Sequence, residues 1–382
     1  VGRGNRKAGV HRRRVRRERD LSEDVYEQLR ELLDRHPTGC PPAPEITEIL
    51  KTFFSEDEAR VALGLGFRPF SVEDVARRAG VDEETAARCL ESLADKAVVY
   101  EREKEGSLGY ALLPVMPGIF EFPYMKGMSG EMREKLTPLW KSYLPVLGKG
   151  FRGSETTFSR IIPIQEEVES KPGVLPYQKV YEMIDRAAVV GIATCACRDM
   201  EGKCDAPREA CMLFDETCTY LVERGFGRYL SKDEMKEKLR EFDEAGLVHQ
   251  INNVQERLTF VCNCCTCCCG LLRMSLEWGN APVFSNSGFT AAVDAEMCTG
   301  CGICAEERCP VQAIEVVGEV AVVRGERCIG CGLCVTGCPE EALRLEKADG
   351  FVEPPHTTAE MGMNILQEKG KLEAFLEVIK PQ

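Results

Sequence analysis

Between residues 45 and 115 the apolar positions recur at helical spacing and are separated by capping signals. Ser55, with Glu58 three residues on, forms a capping box ahead of Ala59, Val61, Ala62 and Leu63. Ser71 opens a second short helix carrying Val72, Val75 and Ala76, stopped at Gly80, and Asp82 opens a third whose inner face is Ala86, Leu90 and Leu93. Alternation then replaces the helical period, because residues 98–100 and 110–113 flank a charged turn containing Gly106 and Gly109, as two paired strands would. Upstream, a short helix is expected from Leu21 to about Arg35, followed by a linker at Pro41, Pro42 and Pro44. Downstream, helical patterns run from Ser129 to about Tyr143 and from Tyr177 to Ala188, with an extended segment at 160–164 between them. Residues 189–192 lead straight into the first cysteines, and Ser231 with Glu234 caps a helix through Leu239 and Phe242. The stretch from Thr357 to Ile379 reads as one final amphipathic helix involving Met361, Ile365, Leu366, Leu372 and Phe375.

These elements predict an α+β, multidomain chain of 382 residues. The expected segments are a basic tail and short helix (1–40), a helical unit with a terminal hairpin (41–115), a mixed helical and cysteine-rich, cluster-binding domain (116–290), a second cysteine-rich domain (291–350) and a C-terminal helix (351–382). The order of elements in 45–115 resembles a winged helix-turn-helix domain. Its candidate recognition helix exposes Glu83, Glu84, Arg88, Glu91 and Asp95, four acids against one base, which would repel a duplex backbone. Protein docking or a structural role is expected of this unit.

Charge points the same way. The chain has 49 basic and 62 acidic side chains, a net −13, and residues 1–20 alone hold nine basic and two acidic groups. The rest is strongly acidic, which argues against a generally basic nucleic-acid surface and leaves only a local one open. No apolar stretch reaches 18 residues, and the Arg-rich start leads into a charged pattern rather than an apolar signal core. A membrane span and a secretory signal are therefore not expected, and a cytoplasmic location is.

Cysteine usage sets the chemistry. Of 21 cysteines, 19 lie between Cys195 and Cys338. Such bunching in a long chain fits metal or cluster ligands in a reducing compartment better than a disulfide scaffold. Cys40 and Cys89 lie outside the bunch, and Cys89 is expected as a buried, inert thiol.

The sharpest pattern is Cys298-x2-Cys301-x2-Cys304-x4-Cys309-Pro310, repeated as Cys328-x2-Cys331-x2-Cys334-x3-Cys338-Pro339. Three thiols two residues apart can wrap one face of an iron–sulfur cube, with Gly300, Gly302, Gly330 and Gly332 allowing tight turns. Zinc held by eight thiols is the competing chemistry, and the triplet spacing with Cys-Pro endings favours iron–sulfur. Residues 291–345 closely resemble a bacterial-type ferredoxin with two [4Fe–4S] clusters. The resemblance implies crossed ligation, with Cys298, Cys301, Cys304 and Cys338 on one cluster and Cys328, Cys331, Cys334 and Cys309 on the other. It also implies a connecting hairpin at 311–317 and 320–324 and a matching strand at 342–345. The first repeat departs from the family by one extra residue before Cys309.

Eleven further cysteines fall in residues 195–269: Cys195, Cys197, Cys204, Cys211, Cys218, Cys262, Cys264, Cys265, Cys267, Cys268 and Cys269. Neighbouring side chains diverge in a strand or a helix, so the dense run cannot all ligate one cubane. One working arrangement puts Cys195, Cys197, Cys204 and Cys211 on one cluster, with Cys218 as a substitute, and draws a second from 262–269. Mixed ligation is an equal alternative. Cys268–Cys269–Gly270 faintly resembles the cysteine-rich domains of heterodisulfide-reductase-like proteins, without their partner spacing. The whole succession resembles multi-cluster iron–sulfur proteins of anaerobes.

The expected function is an electron-transfer subunit with at least two [4Fe–4S] clusters, and three or four with the central thiols. It would relay electrons between donor and acceptor proteins, among them a catalytic oxidoreductase. An iron–sulfur reductase with an open or non-cubane central cluster is the first alternative, and a redox-responsive DNA-binding regulator the second. Arg198 and Arg327 sit beside Cys197 and Cys328 and are expected as ordinary solvent-facing or salt-bridging groups, and His249 as a packed or surface residue. No flavin, nicotinamide or nucleotide fingerprint accompanies the cysteines.

Overall fold

The computed structural model describes residues 24–104, 106–164, 178–279 and 283–380. The Arg-rich residues 1–20, the start of the helix expected from Leu21, and Tyr177 lie outside the described residues.

Five helices open the described chain: α1 (Val25–Asp34), α2 (Pro44–Phe53), α3 (Glu56–Ala62), α4 (Val72–Ala79) and α5 (Glu83–Asp95). Each of the last three is capped as its sequence predicts. At α3 the Ser55 N–H donates to Glu58 Oε2 at 2.8 Å while the Glu58 N–H donates to Ser55 Oγ at 3.3 Å. The Glu58 carboxylate also receives Ser92 Oγ and Lys96 Nζ, tying α3 to the end of α5. A hairpin follows, β1 (Val99–Lys104) and β2 (Ser107–Leu112). It is longer than the apolar pattern suggests, because backbone pairing continues through Glu101 and Arg102, opposite Tyr110 and Gly109.

The middle of the chain is mixed, as expected, but holds more strands than its sequence pattern marks. Helices α6 (Glu121–Met125) and α7 (Gly130–Leu147) precede β3 (Ser159–Ile161), α8 (Val180–Arg186), β4 (Val190–Thr194), α9 (Ala196–Glu201), β5 (Glu209–Phe214) and α10 (Asp215–Glu223). Then come β6 (Gly227–Leu230), α11 (Lys232–Glu244), β7 (Val248–Asn252), β8 (Phe260–Cys264), α12 (Gly270–Leu276) and β9 (Phe284–Ser285). Seven of these strands form one sheet in the order β6-β4-β5-β8-β7-β3-β9, antiparallel except for β3–β9. The helical, cysteine-rich region is thus organised on a sheet. Its strands are short, and several carry cysteine or glycine where a branched apolar residue would have announced them.

The two-residue period of the strands divides the sheet between two cores. Val190, Ile192, Met212 and Phe214 face the side covered by α8 and α11. Ala193, Cys211, Leu213 and Cys264 face the other, where they join a core continuous with α1–α7. Arg224, at the end of α10, pairs with Glu91, Asp95 and Glu101. Two of the acids that arm the candidate recognition helix are therefore used to dock it on the sheet domain.

The last part contains β10 (Phe289–Val293), β11 (Ile314–Val317), β12 (Val320–Val323), α13 (Leu333–Thr336) and β13 (Leu343–Lys347). Strands β10 and β13 pair antiparallel, and β11 and β12 form a hairpin. The tail expected as one helix is two, α14 (Thr358–Glu368) and α15 (Leu372–Ile379). Gly370, at φ +66°, ends the first as a left-handed residue. The break turns α15 back onto the N-terminal helices. Lys369 Nζ donates to the Pro37 and Gly150 carbonyls, Arg68 to the Ile379 carbonyl, and Lys371 pairs with Asp34 at 2.7 Å. No helix among the described residues is long and apolar enough to cross a membrane.

Candidate metal centres

The C-terminal repeat is a structural repeat as well as a written one. Gly300 and Gly330 have φ of +68° and +67°, and Gly302 and Gly332 both have +84°. Gln312 and Glu341, each three residues past a repeat's final cysteine, share φ near +50° (52° and 50°). At Gly330 an added Cβ would lie 2.1 Å from Ser287 Oγ and 2.3 Å from the Phe289 carbonyl oxygen, so the backbone passes where no side chain fits.

The two halves bring eight thiols into two groups. Cys298, Cys301, Cys304 and Cys338 line one small cavity, and Cys309, Cys328, Cys331 and Cys334 line another. Burial, then the neighbouring Cys298, Cys301 and Cys338, push the Cys304 thiol up. Backbone N–H groups already point at sulfur: Ala313 to Cys309 Sγ at 3.1 Å and Ala321 to Cys298 Sγ at 3.4 Å. Four thiols around a common space, with amide donors on the sulfurs, suit a cubane iron–sulfur cluster.

The extra residue of the first repeat is absorbed in a π-helical turn over Cys304–Arg308, where the second repeat has α13. That turn gives Arg308 a task. It donates to the Leu333 carbonyl at 2.7 Å, to the Glu244 and Asp243 carbonyls at 3.0 and 3.1 Å, and to Thr336 Oγ1 at 3.0 Å. Its guanidinium also lies 3.5 Å from the buried Asp243 carboxylate, which accepts Thr336 Oγ1 at 2.6 Å. Arg308, in the lengthened turn, thereby clamps the repeat domain to the end of α11.

The central cysteines sort differently from the working arrangement. A register shift between Ala193 and Thr194 releases the chain from β4 into α9. Cys195 thereby becomes the residue before α9 and Cys197 falls in its first turn, while Cys204 lies in the loop beyond. Cys211 of β5 pairs directly with Cys262 of β8, and Cys264 lies two residues on, on the same face. The run then leaves the strand, so Cys265, Cys267 and Cys268 turn away and Cys269 caps α12.

Two groups result. Cys204, Cys265, Cys267 and Cys268 have their sulfurs within 4.8 Å of one another. Cys204 Sγ lies 3.6 Å from Cys265 Sγ and 3.9 Å from Cys268 Sγ. Against burial, the Ala206 N–H and these thiols hold Cys204 down to about 7. The other group is a chain of contacts from Cys197 to Cys269, Cys264, Cys262 and Cys211, with Cys195 beside it. Hydrogen bonds from Cys211 and Cys264 bring Cys262 down to about 5. Cys204 is therefore separated from Cys195, Cys197 and Cys211, and each thiol group mixes residues of the early and late bunches. Cys218 joins neither group: it is fully buried in α10, against Gly191, and burial pushes it up to about 12.

Sequence reasoning misjudged one residue here and missed two. Arg198 is wholly buried rather than solvent-facing; it donates to the Asn263 carbonyl at 2.9 Å and to that of Pro207. Burial lowers its pKa, but Cys195, Cys265 and Cys264 raise it further, so it stays charged between the two thiol groups. Its place immediately after Cys197 was the available signal. Asn263, between two cysteines of β8, faces the opposite side of the sheet and binds His249 Nδ1 through Oδ1 at 2.7 Å. Glu121 accepts the Gly118 N–H at 2.8 Å, and burial raises its carboxyl to about 8. No pattern of spacing connects Glu121 to cysteines 140 residues away. Arg327 donates to the Val311 carbonyl at 3.1 Å, an ordinary structural contact.

A family model described as a 4Fe-4S dicluster domain matches residues 291–339. No curated protein and no solved structure matches the chain. The matched domain and the thiol groups make this an iron–sulfur protein carrying [4Fe–4S] clusters.

Proposed function

We propose that the chain is an electron-transfer protein whose iron–sulfur clusters form a relay between two redox partners. The observation that carries this reading is the sorting of the cysteines into four groups, three of four thiols and one of six. The crossed quartets of 291–345 would hold two [4Fe–4S] clusters, and Cys204, Cys265, Cys267 and Cys268 a third. Cys195, Cys197, Cys211, Cys262, Cys264 and Cys269 would hold a fourth centre, with more sulfur donors than a cubane needs. Such clusters supply one-electron chemistry at potentials set by charge, burial and hydrogen bonds to sulfur.

The protein's part is position and electrostatics. Cys301 is the one exposed cysteine among the described residues, and it lies near exposed Met297, Glu296, Glu306, Glu307 and Glu340. This supports a basic, transiently docking partner at the outer quartet. Cys331 belongs instead to the main core, which places the inner quartet toward the sheet domain. Arg308 holds that spacing, and Arg198 offsets negative charge among the central thiols. The order outer quartet, inner quartet, central groups is the proposed route. We read segments 1–40, 41–115, 116–290, 291–350 and 351–382 as its parts, with the winged-helix-like unit as a docking element and a cytoplasmic setting. The ion pairs of Glu91 and Asp95 with Arg224 of the sheet domain weigh against a DNA regulator.

A second reading, a reductase with an open or non-cubane centre, is favoured by the surplus of thiols in the six-membered group. Redox-titrated EPR of anaerobically purified protein tests the relay. Spin coupling between ferredoxin-type signals and a central signal supports it; a chain with ferredoxin-type signals alone contradicts it.

A further inference from the structure

Beside the six-thiol group lies a cavity of about 560 Å3. Small-molecule sites span roughly 300–1,000 Å3, and this one falls within that range. Cys211, Cys262 and Glu121 line it together with Phe122 and Phe260, and half-exposed Met363 of α14 stands at its edge. Its walls come from the start, middle and end of the chain, so it is a product of the whole fold rather than a gap under one loop. A larger cleft of about 730 Å3 lies between the hairpin and α10, but it is lined by ion-paired side chains such as Arg102–Glu216 and contains no cysteine.

The chemistry of the wall narrows the occupant. Apart from the cysteines, its titratable side chains that bear on charge are already engaged. Glu121 takes the Gly118 N–H, His36 Nδ1 lies 2.8 Å from Thr38 Oγ1, and Arg68 donates to the Ile379 carbonyl while stacked 4.3 Å over Phe70. The wall is otherwise mostly apolar, so a charged ligand would lose its water for one cation at most, Arg68, which already donates to the Ile379 carbonyl and stacks on Phe70.

We propose that this cavity is a binding site for an uncharged, largely apolar ring compound, with its polar end directed toward Glu121 and its ring edge against Cys211 and Cys262. The site stands on its own geometry; its use as an electron exit or entry point rests on the reading that the six thiols carry an iron–sulfur centre.

Equilibrium dialysis of the anaerobically purified full chain tests it with N-phenyl-1-naphthylamine, a neutral probe, and 8-anilinonaphthalene-1-sulfonate, its anionic counterpart. Saturable uptake of one neutral probe per chain is expected, at least about tenfold tighter than the anion. Met363→Trp at the edge and Leu271→Trp in the wall should each weaken uptake at least about tenfold, with the EPR signals of 291–345 retained as evidence of folding. Bound probe should also alter the line shape of the central EPR signal alone. Absence of saturable uptake, uptake untouched by both variants, or equal uptake of the anion each overturns the site, and binding with an unaltered central signal overturns its placement against Cys211 and Cys262. A protein with no acid-labile sulfide would instead defeat the iron–sulfur reading while neutral-probe binding remained.

Discussion

The C-terminal repeat and the central sheet domain solve the same problem, gathering thiols, in opposite ways. In 291–345 the thiols come from two local turns, and matching glycines at 300/330 and 302/332 repeat the backbone almost angle for angle. In 195–269 they come from a strand pair, a helix start and two loops, brought together by contacts distant in sequence such as Cys211 with Cys262 and Cys204 with Cys265. Local gathering writes itself into spacing. Gathering by a sheet leaves no spacing rule, and it yields unequal groups of four and six. The first arrangement suits clusters of fixed type; the second leaves surplus donors and room beside them.

Loss of a ligand should expose that difference most strongly. Cys334→Ser, in a group with no spare thiol, should remove about four iron atoms per chain and one ferredoxin-type EPR signal. Cys265→Ser in the central quartet should do the same to a central signal. Cys262→Ser, in the six-membered group, should remove fewer and shift its signal rather than abolish it, read by iron analysis and EPR. Equal losses from Cys262→Ser and Cys265→Ser would erase the distinction between the two central groups.

The contrast also marks what could be read before folding. The repeat, its hairpin and the capped helices α3, α4 and α5 were legible, because each is specified by residues within a few positions of one another. The sheet was not. β8 reads Phe-Val-Cys-Asn-Cys, where cysteine occupies the face that apolar residues would have revealed. Glu121 and the pairing of Cys204 with 265–268 depend on contacts across 60 residues or more, which no local pattern encodes.

Next in size is the joint between the two regions. Arg308→Ala removes the clamp and leaves the buried Asp243 with less compensation, a cost on the order of 3 kcal/mol. The temperature at which visible cluster absorbance is lost should fall by several degrees, and spin coupling between the regions should weaken. Arg308→Lys should restore little, since one ammonium cannot reach three carbonyls and Thr336 together.

The smallest effect lies in neither region. Glu58 sits below its ordinary value near 4.5 because, against burial, Lys96, the Ser55 N–H and Ser92 favour the ionised carboxylate. Its contribution is therefore present above about pH 4.5 and is lost as pH falls through the lower folded value. Glu58→Gln should flatten the acid limb of stability measured by hydrogen exchange in α3 and α5. Ser55→Ala should cost about 1 kcal/mol at neutral pH. Neither should change iron content, whereas every cysteine variant above should.

Iron and acid-labile sulfide, measured together on the full chain purified without oxygen, test the central claim most directly. Four thiol groups predict about sixteen iron atoms with equal sulfide if each holds a four-iron centre. About eight of each would confine clusters to 291–345 and contradict a central redox site, and zinc without sulfide would contradict the account altogether.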